Sequence, residues 1–230
     1  MTLDFIVLGI FLTLLSAGIV SLFMLAFYKN TQIKALVLKG VASLCFVILG
    51  AITCFSGELS PTKLMIFIAL IFGLVGDEVI HLCQIFPSHD SLAFIGGGLF
   101  FLVGHLLYIP ALLMLGGANW IAIIVSFVIM VAISLLYEKQ RRFLKGEMKI
   151  PLALYLGIVT FMGAVAVGSF FGRLTLGTGL FAVGGVLFTL SDNILFAYKL
   201  GEKPKFLQNT LLHVAYYSAQ LLIAWSIAYL

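Results

Sequence analysis

Apolar residues recur along this chain in runs of about 20 residues, separated by short polar breaks. A run of that length crosses the ~30 Å hydrocarbon core of a bilayer as a helix rising ~1.5 Å per residue. Eight such spans are predicted: 5–28, 36–55, 64–86, 92–115, 119–137, 152–171, 175–198 and 206–229. The breaks carry turn residues: Ser56-Gly57, Ser60-Pro61, Pro87-Ser88, Gly116-Gly117-Ala118-Asn119, and the stretch from Gly201 to Pro204. The first run follows Asp4 and lacks a basic segment before it, so it reads as a span rather than a signal peptide. The pattern predicts an all-α, polytopic membrane helix bundle. Residues 1–230 are expected to form a single transmembrane domain, with no long linker or low-complexity tract in the sequence.

Composition agrees with the pattern. Of 230 residues, 63% are hydrophobic and 10% charged, with a mean hydropathy of +1.21. Soluble domains are about 25% charged. Cys45, Cys54 and Cys83 all fall in apolar segments and read as core residues, not as a disulfide framework.

Charge adds orientation. With the breaks after spans 1, 3, 5 and 7 on one side, that side holds Lys29, Lys34, Lys39, Lys139, Arg141, Arg142, Lys145, Lys149, Lys199, Lys203 and Lys205. The other side holds only Lys63 and Arg173 of the 13 basic residues. The positive-inside rule makes the richer side cytoplasmic and places both termini outside, in a cell (inner) membrane. The net charge of +4 is thus a topology signal and not a nucleic-acid footprint.

Two acids stand out because they interrupt apolar runs: Asp77 in span 3 and Asp192 in span 7. A carboxylate at the centre of a membrane helix costs roughly 2.5–3.5 kcal/mol even on insertion scales, so such residues face a bundle interior and mark a functional route. Asp77 falls ~13 Å, Asp192 ~9 Å and His213 ~10 Å from the cytoplasmic ends of their spans, at 1.5 Å per residue. His105 lies deeper, near the midplane. Helical spacing groups Asp77 and Glu78 with His81, His105 with Tyr108, and His213 with Tyr216, Tyr217 and Gln220. Ser191, Asp192 and Asn193 are consecutive and cannot share one face. The bland readings are a buried hydrogen-bonded pair for the aspartates and structural interhelical contacts for His105 and His213.

An internal echo accompanies these residues. His105-x-x-Tyr108 on span 4 matches His213-x-x-Tyr216 on span 8, and Gly76-Asp77 matches Ser191-Asp192. A parallel 4+4 repeat would account for the echo and pair Asp77 with Asp192. Coincidence in a biased alphabet is the competing explanation.

Several strings resemble motifs of the YhhN family, which includes the lysoplasmalogenases. Gly73-Leu-Val-Gly-Asp77 resembles its acidic helix, and Gly98-Leu-Phe-Phe-Leu-Val-Gly-His105-Leu-Leu-Tyr108 its His-Leu-Leu-Tyr helix. Met148-Lys-Ile-Pro151-Leu-Ala-Leu-Tyr155 is similar to its Pro-Val-x-x-Tyr entry to a later span. Gly185-Val-Leu-Phe-Thr-Leu-Ser191-Asp192 is similar to its Ser-Asp helix, and Tyr216-Tyr217-Ser-Ala-Gln220 to its last-span motif. The order and spacing run over most of the chain. Lys39-Gly40 departs from the family's usual Lys-Pro, and Glu78 and His81 stand where apolar residues are more usual. Those departures leave the lipid specificity open.

The resemblance implies a membrane hydrolase that cleaves the vinyl ether of a lysoplasmalogen, giving a fatty aldehyde and a glycerophospho-alcohol, with no cofactor or metal. Its partner would be a lysophospholipid drawn from the inner leaflet. A vinyl ether breaks by protonation at its β carbon, and water traps the resulting oxocarbenium ion. Paired carboxylates serve a similar cation in glycosidases. Asp77, the deeper acid, is expected as general acid and Asp192 as its ionised partner. Tyr108, Tyr155, Tyr216, Gln220, Ser191, Asn193 and His105 are candidates to orient water or substrate. Lys39, at the cytoplasmic mouth of span 2, is a candidate for the lipid phosphate or an ordinary topology-setting lysine. Two other function classes compete. One is a proton-coupled transporter of a small or lipid-like solute, because Asp, Glu and His chains also relay protons. The other is a metal-dependent hydrolase using Asp77, His81, His105, Asp192 and His213 as ligands, although no HExxH spacing occurs.

Overall fold

The computed structural model describes residues 3–142, 144–146, 148–200 and 206–230; the side chains of Arg141 and Leu200 are outside the description. The expected turn from Gly201 to Pro204, with Lys203 and Lys205, lies outside the described residues. Among the described residues there are eight α helices, two short 3-10 turns and no strand. The helices are α1 (Leu3–Tyr28), α2 (Gln32–Phe55), α3 (Pro61–Ile85), α4 (Asp90–Met114), α5 (Trp120–Arg141), α6 (Lys149–Gly172), α7 (Leu176–Leu200) and α8 (Phe206–Ser226). All eight are long and apolar enough to cross a membrane, as in a multi-pass membrane protein.

Every expected span is therefore present, with ends moved by a few residues. α2 starts at Gln32 and α5 runs on to Arg141, because a helix continues into polar flanks once its apolar part is in place. Local chemistry sets several ends. The Ser60 hydroxyl accepts from Lys63 N at 3.3 Å, with Pro61 at the first helical position. Asn119 Oδ1 accepts from Ala122 N at 3.0 Å to open α5, and Arg142 closes it in the left-handed region at φ 51°.

The chain divides into two compact units, Met1–Tyr108 and Ile109–Leu230. The expected 4+4 division falls between spans 4 and 5; the observed one falls inside α4, just before Pro110. Within the first unit α1 packs on α2 and α2 on α3. α1 buries a stripe of Gly9, Leu12, Ser16, Val20, Phe23 and Ala26, and the Ser16 hydroxyl donates to Ala42 O of α2 at 3.3 Å. α3 and α4 meet over glycine. A Cβ on Gly76 would come within 2.9 Å of the Phe101 ring and 3.2 Å of Gly97 O, so only hydrogen fits there. Within the second unit α5 packs on α6, α6 on α7 and α7 on α8. Gly184 lets α7 approach α8 closely, since a Cβ there would lie 3.0 Å from Ala219 O. Cys45, Cys54 and Cys83 are buried and unbridged, as expected of core residues.

Candidate functional site

In the first unit the polar centre is built on Asp77, which is 2% exposed. Lys39 Nζ lies 3.0 Å from Asp77 Oδ1 and also donates to Asp77 O at 2.9 Å. The Ser43 hydroxyl donates to Asp77 Oδ2 at 2.6 Å. Lys39 and Ser43 are four residues apart on α2, so one face of that helix presents both donors. A charge-assisted bond to each carboxylate oxygen fixes the orientation of the group and offsets its removal from water.

Lys39, expected to hold the lipid phosphate or to set topology, is 5% exposed inside the unit with its ammonium on Asp77. The lysine stem is long enough to carry a charge inward from a position near the span's edge when an acid waits there.

The Asp77, Glu78 and His81 stripe also resolves into separate contacts. His81 Nε2 lies 3.2 Å from Gln32 O, and its ring packs edge-on to Phe23 and Phe27. Glu78 rests over Gly40: a Cβ on that glycine would come 3.1 Å from Glu78 Oε1. Gly40 and Glu78, two departures from the resembled family's pattern, therefore occupy one contact. His105 and Tyr108 are both 1% exposed, with ring centroids 6.3 Å apart on α4.

In the second unit the corresponding centre is Asp192, 4% exposed. Tyr155 on α6 donates its phenolic proton to Asp192 Oδ2 at 2.9 Å. The Tyr155 ring is held edge-on by Phe196 of α7 at 5.2 Å. The two centres follow one plan. Asp77 stands 16 residues after Pro61, the start of α3, and Asp192 stands 16 residues after Leu176, the start of α7. Each acid is held by donors from the preceding helix. The histidine echo does not keep that register: His105 comes 15 residues after the start of α4, His213 seven after the start of α8.

The other expected residues of this unit are placed as follows. Gln220 Nε2 donates to Tyr216 Oη at 3.0 Å, and Tyr216 packs on Phe188 and Tyr217. The Ser191 hydroxyl donates to Phe188 O at 2.9 Å, within its own helix. Asn193 Nδ2 donates to Thr189 O at 2.8 Å. Tyr216, Gln220, Ser191 and Asn193 are all buried. His213 is half-buried on α8.

Sequence reasoning missed Ser43, although its spacing four residues after Lys39 placed the two on one face. It also missed Thr189, whose hydroxyl donates to Val159 O at 3.3 Å and ties α7 to α6. No group of three or more His, Cys, Asp or Glu side chains is arranged to hold a metal ion among the described residues.

The YhhN family model matches residues 34–227, most of the chain and both aspartate centres. No solved structure matches the chain.

Proposed function

Since the chain belongs to the YhhN family, we propose that it is a membrane hydrolase cleaving the vinyl ether of lysoplasmalogens. The family is associated with lysoplasmalogenase-like activity. The observation that supports the reaction most directly is a pair of buried aspartates in apolar helices, each held by donors from the helix before it.

The chemistry needs an acid, an anion and water. Protonation of the β carbon of R–O–CH=CH–R′ gives an oxocarbenium ion. Water adds to the carbon bearing the ether oxygen and loses a proton. The hemiacetal then collapses, with the proton of its hydroxyl leaving and the glycerol oxygen taking one up. One water is consumed, and the products are a glycerophospho-alcohol and a fatty aldehyde.

The contacts favour the reverse of the roles expected from depth. Asp77 is ion-paired with Lys39 and bonded by Ser43, which suits the anion that stabilises the cation and orients water. Asp192 is bonded on Oδ2 by a neutral phenol. In the acid form it would carry its proton on Oδ1 and deliver it to carbon. Tyr155 positions that carboxyl. Lys39 acts on Asp77, and the lipid phosphate falls to other groups.

Purified protein in detergent should release aldehyde from 1-alkenyl-lysophospholipid and leave the saturated 1-alkyl analogue intact. Uptake of the lipid into proteoliposomes without aldehyde would support the carrier class instead.

A further inference from the structure

A groove of about 290 Å³ lies between α5 and α7 in the second unit, on the side of α7 next to the one that carries Asp192. That volume is just below the usual range for small-molecule sites, roughly 300–1,000 Å³. Its lining is aliphatic, with Met130 and Ile133 from α5 and Leu190 and Ile194 from α7. Ile133 and Leu190 stand on the exposed rim, whereas Ile194 is buried at the floor. α5 is the least covered of the eight spans, with 6% of its apolar window buried. The groove is therefore bordered by the helix whose apolar residues are the least buried of the eight spans.

Ser134, Tyr137, Thr189 and Asn193 bring polar groups into this lining. Asn193 is 6% exposed, and its Nδ2 is fixed on Thr189 O, which turns Oδ1 the other way. Among the described residues that buried oxygen has no hydrogen-bond partner, and neither has the hydroxyl of Ser134 on α5. An unmet buried acceptor costs ~1–3 kcal/mol, and a donor brought by a ligand would recover it. A hydrocarbon chain alone does not supply a donor, and a diacyl phospholipid has no free hydroxyl on its backbone glycerol.

We propose that the α5–α7 groove binds the single hydrocarbon chain of a lysolipid, and that Asn193 Oδ1 accepts a hydrogen bond from the lipid's free glycerol hydroxyl. Ser134 lies across the groove and donates to an oxygen of the same lipid. The groove admits one chain, and the amide selects the hydroxyl that distinguishes a lysolipid from its two-chain parent. Identifying this ligand as the enzyme's substrate rests on the proposed function; the site itself does not.

The test uses a saturated 1-O-alkyl-lysophosphocholine with a diazirine in its chain, which carries no vinyl ether, crosslinked to the whole protein in detergent. Labelled peptides should map to α5 and α7. Unlabelled lyso-ether should compete about tenfold better than its 2-deoxy analogue, the factor expected for one recovered buried hydrogen bond. Asn193→Leu should erase that tenfold difference. Ser134→Phe, at a half-buried position, should remove the labelling while the protein keeps its gel-filtration profile. Labelling spread evenly over lipid-facing helices, equal competition by the two lipids in the wild type, or undiminished labelling of Ser134→Phe would overturn the site. Labelling as described without aldehyde release from an alkenyl lipid would keep the site and reject the hydrolase.

Discussion

Removing Lys39 tests the charge arrangement of the first unit. In Lys39→Met the aliphatic stem is kept, and the ammonium 3.0 Å from Asp77 Oδ1 is lost together with its bond to Asp77 O. Asp77 is 2% exposed, so its carboxylate would be left in the interior with Ser43 as its described donor. Breaking a buried pair by removing one partner costs about 3–5 kcal/mol. Removing both charges is far milder, because an apolar or neutral replacement leaves no uncompensated ion. The double variant Lys39→Met/Asp77→Asn should therefore be more stable than Lys39→Met alone, with a coupling of about 2 kcal/mol or more of opposite sign to the single losses. Ser43→Ala removes one hydrogen bond to a charged group and should cost about 1.5–3 kcal/mol. The measurement is thermal unfolding in detergent, followed by loss of the monodisperse gel-filtration peak. A Lys39→Met protein as stable as the wild type, or a double variant no better than the single, would refute the pairing.

Other outcomes follow from the same contacts. Tyr155→Phe removes the 2.9 Å bond to Asp192 and keeps the ring on Phe196, so turnover should fall about 10- to 100-fold with little loss of folded protein; unchanged turnover would show that this bond does not position the acid. For orientation, a single cysteine at Lys63 should react with a membrane-impermeant maleimide from outside intact cells, and one at Lys145 only after permeabilisation; the opposite result would invert the topology drawn from the basic residues.

Much of the fold was legible because a bilayer leaves few choices. Runs of twenty apolar residues become helices, since no water is present to satisfy the main chain otherwise. The ends were less legible. Gln32 and Arg141 extend their helices into polar flanks where hydropathy carries no signal. Asp77 and Asp192 were legible as buried acids because they interrupt apolar runs, and both proved buried and hydrogen-bonded. Their partners were not. Lys39 precedes Asp77 by 38 residues, and charge counting treats a lysine near a span's edge as an interfacial residue, which hid its inward reach. Spacing on α3 put His81 near Asp77, but it could not say that His81 turns to Gln32 and the α1 phenylalanines instead. Ser191 and Asn193 looked available for ligands from their neighbourhood to Asp192. Both spend a donor on their own helix, and of the two Asn193 retains a buried oxygen without a partner among the described residues.

The proposal to test is that turnover requires both Asp77 and Asp192. Its most direct measurement is aldehyde release from 1-alkenyl-lysophospholipid by purified Asp77→Asn, Asp192→Asn and the double variant, each checked for folding. Residues that act as a unit are strongly non-additive in rate. Each single variant should lose at least about 10³-fold in turnover, and the double variant should be scarcely worse than either single. Wild-type aldehyde release in either single variant, or losses that simply multiply in the double, would contradict it.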